Sequence, residues 1–483
     1  MSGLELRRNW LWLALGGVLQ AFANGNWAVP AAPWLALPLL LRFARTRRSW
    51  RGLLPLAVVL IAAATVILWP MLSLELIPPS LRLAVGFVWG LIAFLPFAVD
   101  RAIGRRWDGL ASTLAFPMAL AVLEWLYSLT PEGSWGSLAY TQYGNGPLLQ
   151  LTAVTGLWGV SFCIAWFAAM LNLAWESGFD LLRIGRAISV YAACLGLVFL
   201  GGGARLAFTR TSTPSVTVAA VTNPPDFPTY FDMADRKGPL IQDVRQWDIL
   251  LEASVRAAEA GASVVVWQEY SLFLAQVSET RFLEAAGRTA RAAGIHLVAS
   301  YGIQPLGDAR APWRNELVWI GPDGLVLGRY AKAHPSTALE PKAIPGKTPP
   351  LVVDTAWGRL AAVICTDQDF PNLIRQAGAA GAGLLVVPSA AWPQVVPLHT
   401  HMAAFRSVEN GFSLLKATGQ GVSAAFDPLG RIVASQGGTG IMLATVPVVK
   451  LGTPYGRFGD WFAMSCLAGL VLLVAGAMRS QRK

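Results

Sequence analysis

Three polar residues in the second half of the chain each lie just beyond a short apolar run. They are Glu269, Lys332 and Cys365. Because strand ends in α/β folds hold loops on a rigid sheet, side chains at such ends often assemble into one site. A thiol becomes a nucleophile when a base or a nearby cation activates it, and Glu269 and Lys332 supply both groups. The pattern therefore predicts that Cys365 is a nucleophile with a carboxylate base and a lysine beside it.

The positions of the cysteines and histidines predict no metal site. The chain has four cysteines, and all except Cys365 lie in apolar stretches, where a small thiol is a common packing residue: Cys163, Cys194 and Cys466. Without a second cysteine, the hydrophilic middle of the chain forms no internal disulfide. The four histidines all lie in this middle part: His296, His334, His399 and His401. The His399–His401 pair has no third ligand at metal-binding spacing, so we expect neither a metal nor a cofactor.

Apolar residues are concentrated near the two ends of the 483-residue chain. Hydrophobic residues make up 54% of the sequence and charged residues 14%, against about 25% charged in a typical soluble domain. A membrane-crossing helix needs about 20 apolar residues. About eight stretches qualify: 10–26, 28–43, 52–70, 82–100, 110–129, 150–174, 187–205 and 460–478. We predict a seven-span membrane domain over 1–206, a soluble domain over 207–459, and a final span with a cytoplasmic tail over 460–483.

Basic clusters orient these spans. The net charge of +10 is also typical of nucleic-acid-binding proteins, but here the arginines lie beside apolar spans, as membrane topology requires. We therefore expect no nucleic-acid partner. The clusters occupy alternate loops and the two ends, so all of them fall on one side of the membrane: Arg7–Arg8, 42–51, 101–106, 183–186 and 479–483. With these clusters inside, the soluble domain lies on the outer face of the membrane, which is the periplasmic side of a bacterial inner membrane.

The soluble part alternates short apolar runs with amphipathic segments. This alternation is typical of an α/β layered fold. The predicted strands are 216–221, 263–267, 295–300, 315–320, 325–330, 360–364, 384–387 and 413–417. The predicted helices are 239–260, 279–293, 371–380 and 398–410. Two stretches with many loop-forming residues, 223–240 and 333–350, are candidates for mobile arms over the site.

The segments around the three polar residues resemble the nitrilase, or carbon–nitrogen hydrolase, superfamily. The similar segments are VVVWQE at 264–269, GRYAKAH at 328–334 and AVICTD at 362–367. Residues 401–410, which include Glu409, also resemble that superfamily, as do 414–418 and 427–430. The resemblance implies an α-β-β-α sandwich and a Glu269–Lys332–Cys365 triad.

Together with the membrane spans, the chain resembles the apolipoprotein N-acyltransferase family. Segments 123–126, 137–142, 147–150 and 156–162 are similar to an outer loop of that family. The resemblance implies a monomeric membrane enzyme. Its Cys365 takes an acyl chain from a phospholipid, phosphatidylethanolamine above all, as a thioester and passes it to the N-terminal amine of a diacylglyceryl-cysteine lipoprotein. Glu269 is then the general base, and Lys332 stabilises the oxyanion with backbone N–H groups near Cys365 and Thr366.

Four further residues are candidates for substrate binding or support: Glu340, Thr366, Trp392 and Glu409. Glu340 has the spacing, but not the local sequence, of a glutamate that the acyltransferase family requires. Thr366-Asp367 and Ser389-Ala390 stand where that family has other residues. These departures leave two alternatives open. One is an amidase, or an acyltransferase for a different acceptor, and the other is a catalytically inactive membrane scaffold that binds lipid or lipoprotein.

Overall fold

The computed structural model describes residues 3–73, 77–211, 214–224, 244–305, 311–337 and 339–480. The chain divides into two compact units. The helical unit comprises Met1–Thr130, Ser134–Thr209 and Phe458–Lys483, and the α/β unit comprises Pro131–Gly133 and Arg210–Arg457. Most of the predicted arm at 223–240 lies outside the described residues.

The helical unit is built from long apolar helices and short connecting turns. Its α-helices are α1 Gly3–Gln20, α2 Ala32–Thr46, α3 Leu54–Met71, α4 Pro79–Ile103, α5 Ala115–Tyr127, α6 Gly146–Leu149, α7 Thr152–Thr155, α8 Leu157–Glu176 and α9 Leu181–Phe208. Near its end the chain forms α14 Pro454–Phe458 and α15 Trp461–Ser480. A buried ion pair joins α2 to α4, because the Arg45 guanidinium donates to both carboxylate oxygens of Asp100 at 2.8 and 2.9 Å.

Six helical segments among the described residues are long and apolar enough to cross a membrane. They are Trp50–Met71, Pro79–Arg106, Gly109–Tyr127, Leu157–Glu176, Leu181–Phe208 and Trp461–Arg479. The predicted stretches 10–26 and 28–43 fall on α1 and α2, which have 18 and 15 residues. Because a full crossing takes about 20 apolar residues, the predicted number of about eight spans is approximate.

The α/β unit contains two sheets. The first has the strand order β13-β1-β2-β4-β5-β6, with β3 paired to β4, and the second has the order β12-β11-β10-β9-β8-β7. The strands are β1 Ser215–Thr222, β2 Val264–Trp267, β3 Leu272–Ala275, β4 His296–Gln304, β5 Arg314–Ile320, β6 Val326–Ala331, β7 Leu351–Thr355, β8 Gly358–Ala362, β9 Leu384–Ala390, β10 Ser413–Gly419, β11 Val422–Phe426, β12 Ile432–Gly437 and β13 Gly440–Pro447.

Helices cover the outer face of each sheet. The first sheet is covered by α10 Val244–Glu259 and α11 Glu279–Ala293, and the second by α12 Pro371–Ala379 and α13 Val396–Asn410. In α11 the buried residues include Phe282, Ala286 and Ala290, spaced four apart, so one stripe of the helix faces the sheet. The helix ends at Gly294, whose φ of 65° suits glycine. The result is the predicted α-β-β-α sandwich.

The described strands include all those that the sequence pattern predicts, together with five that it does not. The unpredicted strands are β3, β7, β11, β12 and β13. Of these, β12 alternates exposed and partly buried residues, and β13 alternates buried and exposed residues over part of its length. The predicted helix 239–260 begins in a stretch outside the described residues, and its described part is α10.

Candidate active site

The three residues singled out from the sequence lie at strand ends of both sheets. Glu269 follows β2 and Lys332 follows β6, both in the first sheet. Cys365 begins a short 3-10 helix, Cys365–Asp369, that follows β8 of the second sheet. Glu269 links the sheets, since its carboxylate accepts a hydrogen bond of 2.9 Å from the backbone N–H of Ala390 at the end of β9. The two sheets therefore bring their polar strand ends into one buried site.

Lys332 lies between two carboxylates. Its ammonium donates to Glu269 at 2.7 Å and to Glu340 at 2.5 Å. All three side chains are buried, with relative exposures of 1% for Lys332, 2% for Glu269 and 5% for Glu340. Buried charges persist when they are paired and hydrogen-bonded. The structure thus places Glu340 in direct contact with the predicted triad, although the local sequence around it is unlike that of the acyltransferase family.

Neutral side chains hold the two carboxylates in place. The Asn315 amide at the start of β5 donates to Glu269 at 2.8 Å and to Glu340 at 3.0 Å. The Tyr270 hydroxyl donates to the same Glu340 oxygen, and the backbone N–H of Ser336 donates to the other at 3.0 Å. These donors fix the geometry of the cluster before any substrate arrives.

Burial and neighbouring charges shift the pKa values of the two glutamates in opposite directions. Burial raises the pKa of Glu269, and the positive charge of Lys332 only partly offsets this, while the charge of Glu340 adds to it. For Glu340, burial is outweighed by Lys332, so the pKa of that carboxyl is lowered. Burial lowers the pKa of Lys332, but both carboxylates outweigh it and the net pKa is raised well above its usual value. Glu340 is therefore the permanent counter-ion and Glu269 the more basic carboxylate.

Cys365 occupies a strained backbone position. Its φ is +46°, in the left-handed region that L residues rarely adopt. Burial, and then the negative charge of Glu269, raise the pKa of the thiol well above its ordinary value, whereas Lys332 opposes this rise. The thiol is therefore protonated at rest and needs a base to attack. Its sulfur lies 3.5 Å from the carbonyl oxygen of Ala390, next to the N–H that Glu269 binds.

Asp367 holds the turn that carries Cys365. Its carboxylate accepts 2.8 Å hydrogen bonds from the Tyr330 hydroxyl and from the backbone N–H of His334, and a 3.2 Å bond from the N–H of Ile364. These donors come from the Lys332 loop on one side and from the residue before Cys365 on the other. Asp367 therefore ties the cysteine turn to the lysine loop.

The remaining predicted residues occupy different positions. Thr366 donates its hydroxyl to the His334 carbonyl at 2.7 Å, so it supports the same contact between turn and loop. Trp392 is partly buried in the loop after β9, two residues beyond Ala390. In the described part of the chain Glu409 lies fully buried in α13 and pairs with Arg406 at 3.0 Å. The structure thus places Glu409 in the helix layer of the second sheet.

Sequence reasoning missed the supporting residues Asn315, Tyr270 and Asp367. One signal was available for Asn315, which is a fully buried polar residue in a strand that is otherwise mostly apolar. Tyr270 directly follows Glu269 and has a φ of 52°, which the sequence does not indicate. Within the described ranges, no group of three or more His, Cys, Asp or Glu side chains is arranged to hold a metal ion.

Two family models match parts of the chain. A family model described as carbon–nitrogen hydrolase matches residues 218–453, and a model described as the apolipoprotein N-acyltransferase N-terminal domain matches residues 16–170. An amidase from Nesterenkonia sp. resembles the chain in structure, with 23% identity and a TM-score of 0.42, over 52% of this chain and 94% of the amidase. The α/β unit is a carbon–nitrogen hydrolase domain of the nitrilase superfamily.

Relatives also match across both units. The apolipoprotein N-acyltransferase of Geobacter metallireducens is 28% identical over 518 aligned residues, covering 98% of this chain and 96% of the relative. That of Pseudomonas aeruginosa is 26% identical, covering 83% and 81%, and that of Caulobacter vibrioides is 27% identical, covering 80% and 77%. Relatives named apolipoprotein N-acyltransferase therefore match this chain over most of its length.

Proposed function

We propose that this protein moves an acyl chain from a phospholipid to the N-terminal amine of diacylglyceryl-cysteine lipoproteins, through a thioester on Cys365. The observation that carries the proposal is the buried cluster of Glu269, Lys332 and Glu340 beside a strained, protonated cysteine. An acyltransferase of this family needs a nucleophile, a base and a stabiliser for negative charge, and the cluster supplies a candidate for each.

The first half-reaction transfers the acyl group to sulfur. Glu269 takes the thiol proton as the Cys365 sulfur attacks the ester carbonyl carbon of the phospholipid. The negative charge on the carbonyl oxygen is stabilised by the charge of Lys332 and by backbone N–H groups in the turn at Thr366. When the C–O bond breaks, the departing alkoxide takes the proton from Glu269 and leaves as a lysophospholipid. The enzyme then holds the acyl chain as a thioester.

The second half-reaction transfers the acyl group to nitrogen. The lipoprotein amine attacks the thioester carbonyl and gives a proton to Glu269. The C–S bond then breaks, the thiolate recovers the proton, and the product is an amide. A covalent intermediate allows two bulky lipid substrates to use one site in succession, so neither has to bind while the other is present.

The apolar helices support a membrane location for this reaction. Both substrates are lipids, so an enzyme embedded in the bilayer receives them by lateral diffusion. From the basic clusters we infer that the protein crosses a bacterial inner membrane several times, with its α/β unit on the periplasmic side. We propose separately that it acts as a monomer, because membrane anchoring restricts oligomerisation. Thiol labelling of single cysteines placed at 277 and 48 tests the orientation, because only the former should react with an impermeant reagent in intact cells.

Transfer from a fluorescent phosphatidylethanolamine to a diacylglyceryl peptide tests the function. We expect the purified protein to form the triacylated peptide and Cys365→Ala to lose this activity entirely. Cys466→Ala removes a buried cysteine of the helical unit and is the matched control, which we expect to retain activity. Release of ammonia from small amides, without peptide acylation, would instead support the amidase alternative that Thr366, Ser389 and Ala390 raise.

A further inference from the structure

A second lysine lies buried near the nucleophile. Lys416, in the middle of β10, has a relative exposure of 0%. Its ammonium lies 3.0 Å from Nδ1 of His399 and 3.0 Å from the His399 carbonyl oxygen. Neither acceptor carries a negative charge. This differs from Lys332, whose charge is balanced by two carboxylates, and it leaves a costly buried cation beside neutral groups.

His399 connects this lysine to the turn that carries Cys365. Because Lys416 donates to Nδ1, the imidazole proton lies on Nε2, which is 3.3 Å from Oδ1 of Asp369. Asp369 is the last residue of the 3-10 helix that begins at Cys365. Gln368 in the same helix donates to the His399 carbonyl at 2.9 Å. Lys416, His399 and Asp369 are therefore buried neighbours in succession, and Asp369 belongs to the turn that carries Cys365.

Burial and neighbouring charges determine which of these groups is charged at pH 7. Burial lowers the pKa of Lys416 to about 8, although the charges of Cys365, Asp369 and Glu269 act in the opposite sense. Burial and then Lys416 itself lower the pKa of His399. The imidazole is thus neutral at pH 7, while Lys416 keeps its charge in most molecules. The charge of Lys416 in turn lowers the pKa of the Cys365 thiol, as that of Lys332 does.

We propose that Lys416 is a positioning residue that supplies the site with a second positive charge, held behind Cys365 by His399 and Asp369. The proposal rests on the proposed function. The charge of Lys332 is already matched by Glu269 and Glu340, so a cation without a carboxylate partner of its own is free to balance charge that develops on sulfur. The thiolate of Cys365 is then more favourable while Lys416 is protonated.

The support that Lys416 gives to the thiolate should weaken as the pH rises. The charge of Lys416 is present below its pKa of about 8 and is lost above it, so its support of the thiolate declines as the pH rises through that value. The titratable groups that face Lys416 are His399, Asp369, Cys365 and Glu269. His399 contacts the ammonium directly, and Asp369 contacts His399.

Alkylation of Cys365 by iodoacetamide tests the proposal without requiring acyl transfer. The rate is followed by mass spectrometry of the Cys365 peptide from pH 5 to 10. Loss of one nearby charge raises a thiol pKa by about one unit, which is about tenfold in thiolate. We therefore expect Lys416→Met to react about tenfold more slowly at pH 7, and Lys416→Arg to restore the rate and remove the inflection near pH 8.

Lys450→Met is the matched control, because Lys450 also has a pKa lowered by burial to about 8 and belongs to the loop after β13. We expect this variant to keep both the rate and the inflection. A Lys416→Met profile that superimposes on the wild type would overturn the proposal. If neither Lys416 variant folds, absence of an inflection near pH 8 in the wild type and in Lys450→Met overturns it as well. Failure of the proposed function appears separately, as loss of peptide acylation with normal alkylation.

Discussion

Replacing Glu340 by glutamine tests whether Glu340 acts as the counter-ion of Lys332 while Glu269 acts as the base. The substitution keeps the shape of the side chain and removes its charge. Lys332 then pairs with Glu269 alone, across the 2.7 Å contact. The pKa of Glu269, which the charge of Glu340 helps to raise, should fall. A less basic Glu269 takes the thiol proton less readily, so transfer should slow even though no atom of Glu340 reaches the substrate.

The size of this effect follows from the geometry. Both carboxylates accept a hydrogen bond from the same Asn315 nitrogen, so the two charges are about 5 Å apart. At an effective dielectric constant of about 20, unit charges at that separation interact by about 3 kcal/mol, or about two pH units in the titration of Glu269. If about half of the change in basicity reaches the rate, Glu340→Gln should lower kcat/KM about tenfold at pH 7. Tyr270 and Asn315 both donate hydrogen bonds to Glu340, and the NH₂ group of a glutamine accepts none. The substitution should therefore lower the free energy of unfolding by about 1–3 kcal/mol.

The assay is peptide acylation measured as kcat/KM between pH 4 and 9. For Glu340→Gln we expect a lower plateau and an acid limb shifted to lower pH. Glu279→Gln is the matched control, because Glu279 forms its ion pairs with Arg314 and Arg329 at a partly exposed position, and it should stay within about twofold of the wild type. A variant with an unchanged plateau and an unchanged acid limb would refute the reasoning.

Three further predictions follow from the same cluster. Lys332→Met leaves two buried carboxylates without a cation, so we expect transfer to fall by at least about a thousandfold and stability by about 3–5 kcal/mol, measured by kinetics and thermal unfolding; near-normal activity would contradict the role of Lys332. Asp367→Asn loses charge-assisted hydrogen bonds to Tyr330, His334 and Ile364, so the unfolding free energy should fall by about 1–3 kcal/mol, and an unchanged Tm would argue against it. In the wild type, kcat/KM should fall as the pH drops through the raised pKa of Glu269, whereas a flat acid side would exclude Glu269 as the base.

Sequence patterns located the cluster because its members end apolar strands. Glu269 and Cys365 follow runs of buried apolar residues, whereas Lys332 follows a strand in which Tyr330 is buried and most other side chains are exposed or partly exposed. All three runs are visible in one sequence without any relative. Glu340 was harder to place, since its loop has no periodic pattern. Its contact with Lys332 depends on how the loop around it folds, including the hydrogen bond from the backbone N–H of Ser336.

Other features depend on contacts that no local pattern encodes. The strands β12 and β13 lie at sheet edges and are less buried than the central strands. Lys416 lies in a largely apolar strand. Its contact with His399 is seen only in the folded structure, because His399 belongs to α13, which packs against that strand. Glu409 was grouped with the site by resemblance, yet the structure pairs it with Arg406 inside a helix.

The central claim is that Cys365 carries the acyl chain between donor and acceptor. Purified protein incubated with phosphatidylethanolamine alone should show, by mass spectrometry, an acyl mass on the Cys365 peptide that hydroxylamine removes and that a diacylglyceryl peptide discharges. Transfer to the peptide with no acyl mass on Cys365, or undiminished transfer by Cys365→Ala, would contradict the account.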